Sequence, residues 1–229
     1  MRKAFCDIHH MVFMLLLLFA ATVTTSCSES DDDTDTEYQN WTARNNEYFE
    51  NIYQTAKAAI DAGDNSWKII KSFSKIDGLS VYTPGSELTG SHTSCIVVRV
   101  INEVESGETP CYTDTVRVHY YGSLMPSASY SAGKKFDSSW SGLVYDEETA
   151  IPAKLPVAGN VDGFTTALQS MHVGDHWEVY IPWQLGYGSP TSNSAIPDGS
   201  TLRFDMTLVT FCKAGTPMPV YNKYISVII

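Results

Sequence analysis

Phe136 and Asp137, in the stretch GKKFDSS (133–139), place an apolar ring directly beside a carboxylate. Such a pair is found in the walls of binding pockets, where apolar packing is combined with a few well-placed polar groups. The same stretch also fits an ordinary hairpin, because Gly-Lys-Lys is common turn chemistry and a phenylalanine that opens a strand usually packs inward. Taken alone, these residues favour the hairpin.

The other residue types that often serve in catalysis or metal binding do not form a recognisable motif in this sequence. His172 and His176 are four residues apart, but Gly174 lies between them and predicts a turn rather than a metal-binding helix face. His119 lies in a predicted strand, where a histidine is usually part of the core. The glycines around Tyr187 lack the strand-to-helix context of a phosphate-binding loop. The sequence also offers no Ser-His-Asp set and no paired catalytic cysteines.

Residues 1–26 have the pattern of an export signal. A basic start is followed by the apolar run Met11–Val23, which is shorter than the roughly 20 residues that span a bilayer. Cys27 then follows a small residue, as in the lipobox of bacterial lipoproteins, although Thr24 replaces the usual leucine or valine. We expect acylation at Cys27 and a stable lipid anchor, with an ordinary cleaved signal as the alternative.

Residues 27–37 are polar and acidic, and they predict a disordered tether. Acidic residues behind a lipidated cysteine resemble the surface-export signals of some Gram-negative lipoproteins. We therefore expect the protein at the bacterial cell envelope, lipid-anchored to the outer membrane, with surface exposure as a further hypothesis. The net charge of −11 argues against a nucleic-acid partner, since a phosphate backbone would be repelled.

Three cysteines remain in the predicted mature chain: Cys95, Cys111 and Cys212. An odd number in an oxidising compartment allows one disulfide plus a free thiol, or three buried thiols. The sequence does not decide between them.

Residues 38–92 are predicted to be an N-terminal helical segment. Residues 38–62 carry apolar side chains at helical spacing, and Gly63 is a stop signal. We expect this helix to be a docking or dimerising element, which makes a homodimer one possible assembly. Residues 66–89 give no clear prediction. The predicted apolar stripe consists of Trp41, Tyr48, Ile52, Ala56 and Ile60.

From residue 93 the apolar pattern changes to a period of two. Residues 95–104, 115–124, 175–182 and 201–211 are predicted to be strands. Residues 164–171 predict a short helix with Phe164, Leu168 and Met171 on one face. Antiparallel strands with one short helix indicate an α+β domain in which a curved sheet wraps around that helix.

Five stretches then match a known family in order and nearly in spacing: VRVHYYG, GKKFDSS, VDGFTTALQSMHVGDHWEVYIP, LGYG and AIPDGSTLRFDMTL. Residues 93–212 resemble the FKBP-type peptidyl-prolyl isomerases. The resemblance implies a five- or six-stranded antiparallel sheet bent around one helix, with an aromatic pocket between helix and sheet. GKKFDSS would then form part of the pocket wall.

The resemblance also implies roles for individual residues. The predicted catalytic set is Tyr120, Phe136, Asp137, Tyr187 and Phe204, and the predicted substrate-binding set is Val161, Phe164 and Ile196. Phe164 replaces the family's usual tryptophan on the pocket floor. Ala153 and Asn160 replace a frequent phenylalanine and a frequent valine. The segments 124–133 and 140–151 are longer than usual, which affects substrate preference more than the reaction.

The implied reaction is rotation about X–Pro bonds of peptides or unfolded proteins, which requires no nucleophile, cofactor or metal. The alternative is a binding module that keeps the fold but turns over poorly and holds a partner at the envelope. Residues 213–229 form an apolar tail whose role the sequence does not explain.

Overall fold

The computed structural model describes residues 37–75, 79–141, 145–146 and 149–222. The predicted export signal, Cys27, nearly all of the acidic tether and the end of the C-terminal tail lie outside these residues. Within the described part of the chain, no helix combines the length and the apolar character needed to cross a membrane.

The helices and strands of the described residues follow in chain order. They are α1 (Trp41–Asp61), β1 (Trp67–Lys71), β2 (Ser80–Val81), β3 (Cys95–Asn102), β4 (Thr115–Leu124), β5 (Lys135–Ser138), β6 (Ala153–Pro156), α2 (Asp162–Ser170), β7 (His176–Ile181) and β8 (Leu202–Cys212). Two 3-10 turns, His92–Ser94 and Trp183–Leu185, precede β3 and follow β7.

The strands form one antiparallel sheet in the order β2-β1-β3-β7-β8-β4-β5. The long strand β4 also pairs with β6 at its start and with β5 at its end. The fold is α+β, as the sequence predicted. Residues 93–212 contribute six strands, β3 to β8, within the five or six that the resemblance implied, and β1 and β2 of the N-terminal segment bring the sheet of the described residues to eight.

The inner face of the sheet packs against α2 and holds the main core. Val98, Val179 and Phe204 stand side by side on this face through the pairing of β3, β7 and β8. Phe164, Leu168 and Met171 are all buried against it, as their spacing predicted. Gly163 allows the close approach of helix and sheet, because a Cβ there would lie 2.3 Å from Cγ2 of Ile181.

The outer face of β1, β3 and β7 is covered by α1. Ile69, Val97 and Tyr180 form a second buried cluster with the helix. Gly63, at φ +87°, ends the helical segment as expected, and its N–H donates to Ile60 O. The buried stripe differs from the predicted one, since Asn45 and Phe49 take the buried positions while Tyr48 and Ile52 are only half-buried.

The predicted helical segment 38–92 is helical only as far as Asp61. The two strands β1 and β2 follow, in a stretch for which no clear prediction could be made. Ile69 and Ile70 are adjacent and both buried, because α1 covers one face of β1 and the main core covers the other. A strand buried on both faces loses the alternation that identifies a half-exposed strand.

The three described cysteines are free thiols. Cys95 is buried, Cys111 is exposed, and the partly exposed Cys212 donates its Sγ hydrogen to Thr216 O at 3.2 Å. Neither of the two sequence-based alternatives applies, since no disulfide joins these three described cysteines and only Cys95 among them is buried. Burial raises the pKa of the Cys95 thiol to about 11.

We expect a maleimide reagent to modify Cys111 in the folded protein while leaving Cys95 intact, because the reactive thiolate of Cys95 is disfavoured and enclosed. Peptide mapping after timed labelling measures both sites. Cys95 should become reactive in denaturant, which serves as the control. Equal labelling rates for Cys95 and Cys111 in the folded protein would contradict the buried thiol.

Candidate active site

A cluster of aromatic rings forms at the inner face of the sheet, with Phe204 of β8 at its centre. Phe136, Tyr120 and Phe164 each meet the Phe204 ring edge-on, at centroid distances of 5.4, 6.2 and 5.0 Å. Tyr120 also meets Phe164 at 5.6 Å. Edge-to-face contacts of this kind stabilise aromatic clusters beyond the effect of area alone.

Gly122 makes room for two of these rings. It pairs with Phe204 across β4 and β8 and with Asp137 across β4 and β5. A Cβ at Gly122 would lie 2.7 Å from the Phe136 ring and 2.9 Å from the Phe204 ring. The rings therefore lie over a position that only glycine can occupy without displacement.

A cavity of about 270 Å³ opens beside the cluster, between α2, the sheet and the loop after β7. Its lining combines four aromatic rings, one carboxylate and the turn before α2. The lining residues are Tyr120, Asp137, Leu155, Gly159, Asn160, Val161, Phe164, Tyr187 and Phe204.

The Tyr120 hydroxyl donates a hydrogen bond to Oδ2 of Asp137 at 2.9 Å. The other carboxylate oxygen of Asp137 accepts from the Ser138 N–H at 2.8 Å. Burial raises the pKa of the Tyr120 hydroxyl far above its usual range, and the hydrogen bond to Asp137 raises it further. Tyr120 is therefore a stable donor, and Asp137 is held as an acceptor at the mouth of the cavity.

Six of the eight predicted site residues line this cavity. Val161 is the N-cap residue of α2, where backbone N–H groups lack partners within the helix, and Tyr187 comes from the loop between β7 and β8. Phe136 and Ile196 do not reach the lining. Phe136 is half-buried and meets the Phe204 ring edge-on, and Ile196 is buried in the core at 2% exposure.

Sequence reasoning missed Leu155 and Gly159 as lining residues and treated Asn160 only as a departure from the family. Asn160 Nδ2 donates to the carbonyl oxygens of Pro156 and Val157, at 2.8 and 3.1 Å. These bonds hold the turn that leads into α2. Asn160 lies directly before Val161 in the sequence, and this position is the signal by which it could have been recognised as a site residue.

A larger cavity of about 480 Å³ lies on the outer face of the sheet. Its walls include Tyr121, Trp140 and Arg203, and it shares only Tyr120 with the predicted site. His176 also lies there, with Nε2 2.7 Å from Oδ1 of Asp205, whereas His172 lies beside Asp175. The smaller cavity therefore holds the predicted site residues, despite its smaller volume.

Comparison with known proteins identifies the family of residues 107–209. Residues 107–209 match the family described as FKBP-type peptidyl-prolyl cis-trans isomerase. This region belongs to that family. The FKBP-type 22 kDa peptidyl-prolyl cis-trans isomerase of Escherichia coli (strain K12) is 40% identical over 125 residues, which cover 54% of this chain and 53% of that protein.

Two further relatives extend the comparison of the FKBP-type domain. Outer membrane protein MIP of Legionella longbeachae is 34% identical over 50% of this chain and 44% of its own length. FkpA of Escherichia coli (strain K12) is 31% identical over 67% of this chain and 49% of its own length. The chain thus spans about half the length of these relatives. The crystal structure of FkpA from Escherichia coli has a TM-score of 0.48 at 23% identity, covering 92% of this chain and 78% of that one.

We predict that Gly122→Ala destabilises the FKBP-type domain by about 1–3 kcal/mol, because the new methyl group displaces the Phe136 or Phe204 ring. Urea denaturation at constant m-value measures the change. Phe136→Leu is the reference, and the double variant Gly122→Ala/Phe136→Leu should recover part of the loss because the leucine leaves more room. If the stability loss of the double variant equals the sum of the losses of the two single variants, this account is contradicted.

Proposed function

We propose that this protein is a peptidyl-prolyl cis-trans isomerase that assists protein folding outside the cytoplasm. The observation that carries the proposal is the cavity walled by Tyr120, Phe164 and Phe204, with the Tyr120–Asp137 hydrogen bond at its mouth. Membership of residues 107–209 in the FKBP-type family and the 40% identity to an isomerase support it.

The reaction requires a twisted amide. Resonance gives the peptide bond a rotation barrier of about 18–20 kcal/mol, and uncatalysed X–Pro isomerisation takes tens of seconds or longer. Rotation breaks the resonance, so the twisted amide carries less charge on its oxygen than the planar amide. An apolar cavity favours the twisted form over the planar one, and this difference lowers the barrier.

The chain supplies apolar walls and a few polar contacts. Phe164 and Phe204 enclose the proline ring, while Tyr187 and the Val161 N–H hold the flanking peptide. Asp137 acts as an acceptor, with one oxygen bound to the Tyr120 hydroxyl and the other to the Ser138 N–H. Rotation about the X–Pro bond transfers no proton, so the reaction requires no general base. No covalent intermediate is needed.

The purified protein should accelerate cis-to-trans isomerisation of an X-Pro-Phe peptide. We expect Tyr187→Phe and Asp137→Ala each to lower kcat/KM about threefold to tenfold, because each removes one polar contact. Phe204→Ala should be more damaging, since it opens the wall and costs roughly 3–5 kcal/mol of stability. A protease-coupled or NMR exchange assay measures turnover, and circular dichroism confirms folding.

Tyr121→Phe is the matched control, because Tyr121 neighbours Tyr120 but faces the outer cavity. It should retain wild-type turnover. A folded wild-type protein that leaves several X-Pro peptides at the uncatalysed rate would defeat the isomerase proposal. The alternative function would then take its place: a catalytically weak binding module that holds a protein or peptide partner at the cell envelope.

We further propose that Cys27 is acylated and anchors the protein to the outer membrane. Its position behind an apolar leader supports this, as does the name of the relative from Legionella longbeachae, outer membrane protein MIP. Two or three acyl chains bind a bilayer stably, because each buried methylene contributes about 0.8 kcal/mol. The partners are proline-containing client segments, and a homodimer through α1 remains a prediction.

We predict that Cys27→Ala releases the protein from membranes into the soluble fraction. Cell fractionation with a high-salt wash measures the change, and Cys6→Ala, within the predicted leader, is the matched control. Sedimentation of the Cys27→Ala protein with membranes would contradict the lipid anchor.

In the same cells, externally added protease should digest the wild-type protein if the acidic tether directs it to the cell surface. Full protection of the protein from the protease would reject that location.

A further inference from the structure

The loop between β7 and β8, residues 182–201, carries Tyr187 into the candidate active site and Ile196 into the core beneath it. A loop of this length needs contacts outside itself to keep one conformation. The first turns of α1 provide them. Four side chains of that helix, Trp41, Thr42, Asn45 and Asn46, hydrogen bond to the loop.

Asn45 makes the most enclosed of these contacts. Its side chain is fully buried, Oδ1 accepts from the Thr201 N–H at 2.8 Å, and Nδ2 donates to Trp41 O at 2.8 Å. Its backbone oxygen also accepts from the Thr201 hydroxyl at 3.2 Å. Asparagine has low helix propensity and is costly to bury without partners. The role of Asn45 is therefore to bind the loop.

Trp41 and Thr42 hold the neighbouring loop residues. Trp41 Nε1 donates to Ser200 Oγ at 2.7 Å, and Thr42 Oγ1 donates to Asp198 O at 3.0 Å. Gly199 has a φ of +69°, and a Cβ there would lie 2.4 Å from Thr42 Oγ1. The helix thus occupies the space that a side chain at residue 199 would need.

The contact extends to both ends of the loop. At the start, Trp183 Nε1 donates to Asn46 Oδ1 at 2.8 Å. Near the end, the Gly199 N–H donates to Gly188 O at 3.2 Å, which joins the segment held by α1 to the residue after Tyr187. A displacement of residues 198–201 would therefore be passed to Tyr187 through the backbone.

From these contacts we propose that Trp41, Thr42 and Asn45 are positioning residues of the isomerase site: they hold the loop 182–201 so that Tyr187 closes the proline pocket. This inference rests on the proposed function. When the loop samples open conformations, only a fraction of molecules can bind substrate, and the apparent KM rises by the inverse of that fraction. The rate constant within the closed complex is unchanged.

Asn45→Ala in the full-length protein is the principal test. We expect KM for an X-Pro-Phe peptide to rise roughly threefold to tenfold while kcat stays near the wild-type value. A loss of folded protein alone would do the opposite, lowering apparent kcat at unchanged KM. Asn51→Ala is the matched control, since Asn51 is exposed on the same helix and should change neither constant.

Hydrogen exchange measured by mass spectrometry gives a readout that does not depend on turnover. In the Asn45→Ala variant, amides of residues 182–201 should exchange faster, while those of β4 stay protected. If wild type shows no isomerase activity, the proposed function fails, and this exchange pattern still decides whether α1 holds the loop.

Thr42→Val and Thr42→Ser cover the case in which Asn45→Ala does not fold. Valine keeps the shape of threonine but removes the hydroxyl that donates to Asp198 O, whereas serine retains it. We expect Thr42→Val to raise KM, whereas Thr42→Ser should keep the wild-type KM. Folded variants with wild-type KM and unchanged exchange of the loop would overturn the proposal.

Discussion

The edge-on packing of aromatic rings around Phe204 is the interaction on which the candidate active site depends. It brings together Tyr120 from β4, Phe136 from β5 and Phe164 from α2, and so it joins these strands and the helix in one aromatic cluster beside the cavity. The absence of a side chain at Gly122 is the condition for this packing. Because the rings fill the wall, the polar groups of the cavity lie at its edges, where a peptide backbone can meet them.

The two faces of the sheet pack against different helices. The inner face packs on α2 and forms the cavity, while the outer face of β1, β3 and β7 is covered by α1. This helix does more than cover apolar surface, since its first turns reach the loop that carries Tyr187. The N-terminal segment and the FKBP-type domain are therefore joined by buried hydrogen bonds of Asn45 as well as by packing.

The β4 strand and the apolar spacing of α2 were predictable from sequence. β4 has the predicted bounds, and Phe164 and Leu168 of α2 and Met171 at its C-cap are buried as expected, because each set follows a simple period. β1 was not predictable in this way, because both of its faces are covered and its pattern has no period. Asn45 was missed for a related reason, since a polar residue on a helix normally indicates the solvent-facing side.

The sequence by itself determined the α+β class, the family of residues 107–209 and the residue types that the site requires, because these depend on local spacing and on motifs in order. Only the tertiary structure decided which of those residues reach the cavity. Phe136 and Ile196 are not part of the lining, whereas Leu155 and Asn160 are. A cavity surface is formed by side chains that are distant in sequence. Which of them reach the surface depends on how the helices and strands pack together, and local sequence patterns do not predict that packing.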